Sequence, residues 1–106
     1  MVKSHLDSPV PLGYILSGKV VQNADDIKGT KMSDSVACAG AGFANHAELN
    51  SVPENLVAKI PDNVPEKQAA FTTVGSVTLH GVRHTNVHRG ERIGIIELAL
   101  IRQSTL

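Results

Sequence analysis

Apolar residues along this chain come in short bursts separated by polar turns. YILSGKVVQ (14–22) reads as a strand, with Gly18 as a bulge or a close approach. Ahead of it, SPVPLGY (8–14) is proline-rich and predicts an extended lead-in. NADDIKGTKMSD (23–34) is a long polar turn. DSVACAGAGFANHAELNSVP (34–53) begins as a strand, passes through small residues and resumes in extended form from His46 to Val52. LVAKIP (56–61) is a short strand closed by Pro61.

The period then changes. Pro65 suits a first helical turn and Glu66 complements the dipole there. AAFTTVGSVTLHGVR directs Ala70, Val74, Val77 and Leu79 toward a core at helical spacing. Thr72, Thr73, Gly75 and Gly81 weaken this helix and predict a break near Gly75. HRGE (88–91) is a turn, and GERIGIIELALIRQ (90–103) reads as a buried strand, Ile93 to Ile96, turning into a helix. Strands come first, then a helix, then one strand and the start of another helix. The fold class is therefore β-rich α+β.

Composition narrows the picture. At 106 residues the chain is one unit, or a piece of a larger one. Apolar residues reach 42% but aromatics only 3%, so the core is built from Val, Ile, Leu and Ala and its stability is modest. Ten basic residues balance ten acidic ones with no block of like charge, which argues against a nucleic-acid or membrane surface. Cys38 is the sole cysteine, so one chain forms no disulfide framework and no cysteine-rich zinc site. The first ten residues lack the apolar stretch of a signal peptide, and no apolar run reaches membrane-spanning length. A cytoplasmic location is the expectation.

Four segments in order, PLGYILSGKVV, SDSVACAGAGFANHAELNSVPENLVAKIPDNV, AAFTTVGSVTLHGVR and GERIGIIELALI, resemble the medium-chain dehydrogenase/reductase superfamily. The similar branch is the zinc-type alcohol dehydrogenase-like oxidoreductases with a short catalytic lobe. The resemblance runs from Lys3 to Leu106. It implies a partial GroES-like barrel over 8–64, a connecting helix over 65–87, and over 90–106 the first strand and turn of a Rossmann domain. Family members have further barrel strands before this segment and the rest of the cofactor domain after it, so the chain resembles an internal fragment.

The same resemblance allows a position-by-position reading. The family's Gly-His-Glu zinc motif corresponds to Gly13-Tyr14-Ile15, and a phenol of pKa about 10 is a poor substitute for a neutral imidazole. A cysteine ligand in the connecting helix corresponds to Val74. No catalytic zinc site is expected. The dinucleotide fingerprint G-x-G-x-x-G corresponds to Glu97, Ala99 and Arg102. Its glycines make the tight turn, admit the pyrophosphate and let helix touch strand. Glu97 brings negative charge to the phosphate position, Ala99 adds one methyl, and Arg102 adds bulk at the helix–strand contact. Arg102 contacting phosphate directly is the rescue reading. Ala24, Asp26 and Ser33 also replace family glycines, and Thr30 replaces a large apolar residue. Thr78 corresponds to a position near the nicotinamide, against the plain alternative of a helix threonine bonding back to a carbonyl.

His80, His84 and His88 follow i, i+4, i+8 spacing, one face of a helix and a geometry that chelates a divalent metal. With Gly81 weakening the helix and HRGE taking His88 off it, solvent-facing histidines at a helix end are the expectation. His46 reads as a packed or surface strand residue, and Cys38 as a buried structural thiol.

Three functional readings follow. The first is a fragment of an alcohol dehydrogenase-like oxidoreductase, inactive on its own, with no catalytic residue, metal or cofactor; Thr78, Glu97, Ala99 and Arg102 mark a vestigial site for the NAD(P) of the family. The second is a zinc-independent NAD(P)-dependent subunit completed by another chain. The third is a small self-associating module, a homo-oligomer joined through the C-terminal strand.

Overall fold

The computed structural model describes residues 9–24, 26–94 and 96. The chain divides into two compact units, Met1–Ala70 and Phe71–Leu106.

The first unit holds a three-stranded antiparallel sheet in the order β1 (Ile15–Lys19), β2 (Ser35–Ala39), β3 (Val57–Lys59). β2 is central. Its register runs without a break from Ile15↔Ala39 to Lys19↔Ser35 on one side and from Val36↔Lys59 to Cys38↔Val57 on the other. Gly18 pairs with Val36 inside that register, so it forms no bulge, and an added Cβ there meets nothing within 4 Å. Glycine at 18 answers to neither device that the sequence suggested.

The SVACA run is apolar because both faces of β2 are covered. Val36 and Cys38 point to one side, where they pack with Ala44 and the partly buried Leu16, Val20, Val52 and Val57. Ala37 points to the other, against Ile60, Ala69 and Val64. The second cluster brings in the short helix α1 (Glu66–Ala69), whose first turn is closed by the Pro65 carbonyl accepting from the Gln68 and Ala69 amides. Two thin cores on opposite faces of one strand, without aromatic anchors, are what a Val/Ala/Cys composition builds.

Two expectations need correction here. Residues 46–52 are not a strand but bends at 46–49 followed by irregular chain, closed locally by Asn50, whose Oδ1 accepts from the Asn45 amide and whose Nδ2 donates to the Ala47 carbonyl. Side-chain bonding of this kind competes with a ladder. The strand β3 is preceded by a 3-10 turn, Glu54–Leu56, that the pattern did not reveal. The described sheet is open, with β1 and β3 as its edges.

The second unit begins with α2 (Thr72–His84). The expected connecting helix is thus divided, but at Ala70–Phe71 and not at Gly75. Phe71 sits at φ −87°, ψ 4°, off the helical values. Gly75 stays within α2, its amide donating to the Phe71 carbonyl at 3.0 Å. A glycine weakens a helix by about 1 kcal/mol but leaves its hydrogen bonds in place. The buried face of α2 carries Val74 and Thr78, one turn apart, whereas Val77 and Leu79 are 57% and 49% exposed. Val74 is inward as its spacing predicts, and the next inward position goes to the hydroxyl of Thr78 and not to Val77 or Leu79.

Ile93, Gly94 and Ile96 belong to no strand, and Ile93 and Ile96 are 59% and 98% exposed. The buried strand expected there is not formed at these positions; a strand needs a paired neighbour, and the sheet consists of β1, β2 and β3. Ile95 and the segment after Ile96 lie outside the described residues. Among the described residues no helix is long and apolar enough to cross a membrane.

Candidate functional site

The residues that the sequence marks for chemistry fall into separate neighbourhoods. Glu97, Ala99 and Arg102 lie outside the described residues. Thr78 is buried on α2 and its Oγ1 donates to the Val74 carbonyl at 3.0 Å. That is the back-bond by which a helix threonine satisfies its hydroxyl.

Tyr14 immediately precedes β1 and is 51% exposed. Its carbonyl accepts from the Gly40 amide at 2.9 Å. The glycine before it is held by its surroundings. Gly13 has φ +101°, and an added Cβ would lie 2.7 Å from the His46 ring and 3.1 Å from both the Ala44 carbonyl and the His46 amide. The His46 amide in turn donates to the Leu12 carbonyl at 2.7 Å. His46 therefore contributes backbone to this crossing, and its exposed ring stands outside any strand.

Cys38 is buried, and desolvation raises its pKa above the ordinary thiol value. A thiol of that kind is a packing residue, since the thiolate is the nucleophile.

A groove of about 740 Å³ runs along the first core, with Leu16, Val36, Cys38 and Val57 in its floor. Asn23 and Thr30 line it as well, and they satisfy each other. Asn23 Nδ2 donates to the Thr30 carbonyl at 2.6 Å, and Thr30 Oγ1 donates to Asn23 Oδ1 at 3.4 Å. A polar pair thus stands where relatives are expected to place a large apolar residue.

Sequence reasoning missed a polar clasp that spans distant segments. The Ser35 hydroxyl donates to Glu66 Oε1 at 2.6 Å and accepts from Lys19 Nζ at 3.1 Å, while Lys19 Nζ lies 3.4 Å from Glu66 Oε1. Beside it, Lys59 Nζ donates to Asp34 Oδ1 at 2.9 Å and the Lys31 amide donates to Asp34 Oδ2 at 2.9 Å. No local signal announces pairs 16, 25 and 31 residues apart. A serine between a lysine and a carboxylate raises the question of a nucleophile and its base. Hydrogen bonds from Ser35 and Lys19 hold the Glu66 carboxyl below its ordinary pKa, which makes it a weaker base. The clasp fastens α1 and β3 to the strand β2.

No family model matches this chain, and no solved structure matches it significantly. Two curated proteins are similar to it. It is 25% identical over 114 aligned residues to (R,R)-butanediol dehydrogenase of Bacillus subtilis (strain 168), covering 83% of this chain and 32% of that protein. It is 34% identical over 95 residues to highly reducing polyketide synthase phiA of Fungal sp. (strain ATCC 74256), covering 89% of this chain and 3% of that one. The chain thus spans about a third of the dehydrogenase and a small part of the synthase, and its distant similarity is to proteins of dehydrogenase or reductase type.

Proposed function

We propose that this chain is a segment of a medium-chain, alcohol dehydrogenase-like oxidoreductase and has no dehydrogenase activity by itself. Its sheet corresponds to part of a GroES-like barrel, and the segment from residue 90 to the first strand and turn of a nucleotide domain. The observation that carries this reading is the similarity to (R,R)-butanediol dehydrogenase along 83% of the chain. Inactivity follows from the residues. Tyr14 and Val74 replace zinc ligands, and Glu97, Ala99 and Arg102 replace the glycines that admit a pyrophosphate. The test is a fluorescence titration with NADH and NADPH together with an alcohol oxidation assay. Weak or absent binding and no turnover are expected; a low-micromolar dissociation constant overturns the proposal.

A second reading has its own observation. Identity is higher to the reducing synthase, 34% against 25%, and a reductase without zinc tolerates Tyr14 and Val74. On that reading the chain is a zinc-independent NAD(P)-dependent subunit, completed by another polypeptide that supplies the nucleotide domain. Adding such a polypeptide to the titration then produces tight NADH or NADPH binding that neither component shows alone.

A further inference from the structure

We propose that His80 and His84 form a two-imidazole chelate for a divalent transition metal on the exposed side of α2. The two residues stand one turn apart, so their side chains share a helix face. Both are exposed. Their ring centroids are 4.8 Å apart, with the planes at 80°.

That separation is the one a shared metal requires. A metal about 2.0–2.1 Å from a donor nitrogen lies roughly 3.2 Å from the ring centre. Two such rings at a ligand angle of about 90–110° then have centres roughly 4.5–5.2 Å apart. The interplanar angle is not constrained, because each ring turns freely about its metal–nitrogen bond. The second torsion of histidine is broad, so exposed rings bring their nitrogens together with little strain.

The site is bidentate. His88 is off the helix, and its amide donates to Glu91 Oε2 at 3.0 Å. Among the described residues no group of three His, Cys, Asp or Glu side chains assembles around a metal position. Arg83, in the same helical turn, adds a nearby positive charge. The chelate is accordingly labile, with water or a small ligand in the remaining positions. Imidazole donors select nickel, copper or zinc over magnesium or calcium. Binding also acts on the helix. The bridge spans Gly81, a poor helix former, and the last turn, where the Thr85 amide donates to the Gly81 carbonyl at 3.2 Å. A metal across 80 and 84 suppresses fraying there.

The test is calorimetric titration of the untagged chain with Ni²⁺, paired with amide hydrogen exchange over α2. One equivalent binds, and exchange at 81–85 slows. His80→Gln or His84→Gln weakens binding at least about tenfold, since the second ligation is intramolecular. The double variant is little worse than either single one. His5→Gln, His46→Gln and His88→Gln bind as the parent does. If His84→Gln disturbs the helix by circular dichroism, His84→Lys removes the ligand with another good helix former. No binding up to about 1 mM, the weak end of the affinity scale, overturns the proposal. So does binding as tight as the parent's in the His80 and His84 variants, or loss that tracks His5, His46 or His88; the ring contact is then aromatic packing alone.

Discussion

Among the described residues of the first unit, Ser33 is a non-glycine residue held at a backbone angle that favours glycine. Its φ is +70°, a left-handed value, and its amide is anchored to the Val20 carbonyl at 2.8 Å. It is one of the turn positions ahead of β2 where the resemblance expects glycine. Ala24, another of them, is not among the described residues with positive φ, so there the need for glycine is not seen. At Ser33 the need remains. Ser33→Gly is therefore expected to raise stability by about 1 kcal/mol in a urea titration, less the added freedom of the unfolded chain. Gly13→Ala acts in the opposite sense. Its φ of +101° and the backbone of Ala44 and His46 at 3.1 Å leave no room for a methyl, and a loss exceeding about 1 kcal/mol is expected. A third prediction concerns Cys38. Burial and a raised pKa make it slow to alkylate with iodoacetamide in the native protein and fast in denaturant. Rapid native alkylation shows that the β2 core opens readily. Cys38 as a structural thiol was legible from its alanine and glycine neighbours. The strain at Ser33 was not, because a backbone angle is set by what the turn must connect.

Among the elements, β1, β2, β3 and the start of α1 were legible, since apolar runs bounded by polar turns or proline have few other uses in a small domain. Residues 46–52 misled because an apolar/polar alternation resembles a strand until side chains such as Asn50 take the backbone bonds. The break at Phe71 and the burial of Thr78 were hidden as well. Which helical residue faces inward depends on what the helix packs against. Ile60 joins β3 to α1 through the second core, with Ala37 and Ala69. Ile60→Ala is expected to cost about 2–5 kcal/mol, enough to unfold much of a marginal unit, and thermal melting of the variant measures it. The clasp gives this unit an acid limit. Asp34 is held below its ordinary value of 3.8 by Lys59 and then by the Lys31 amide, and Glu66 below 4.5 by Ser35 and then by Lys19. Because both folded values are depressed, the stabilisation is present above the ordinary values. It is lost as pH falls below them and through the folded ones. Melting temperature should fall with acid from about pH 4.5 downward, and Asp34→Asn with Glu66→Gln should flatten that slope.

At the scale of the whole molecule, the expected outcome is poor nucleotide binding. Reverting Glu97, Ala99 and Arg102 to glycine together should not restore it, since three glycines supply one turn of a site whose ribose contact lies about twenty residues further along in relatives. Tight binding by the triple variant places the whole determinant in that turn. Assembly is the second matter. The exposed Ile93 and Ile96 support the proposal that the C-terminal apolar segment joins copies of the chain. Sedimentation should show an oligomer at tens of micromolar that Ile96→Lys dissociates, and a wild-type monomer removes the idea.

What the sequence determined by itself was local and compositional. It contained the strand-then-helix order, the apolar centre of β2 and the proline start of α1. Each of these depends on residue identity or on spacing within a few positions. The tertiary structure decided the rest. It set the two-faced burial of β2, the choice of Thr78 over Leu79 as an inward residue, the left-handed angle at Ser33, the crossing at Gly13 and the clasp of Lys19, Ser35 and Glu66. All of these join residues far apart in the chain or depend on a neighbour's surface. Pattern along a sequence has no access to that geometry until the chain has folded.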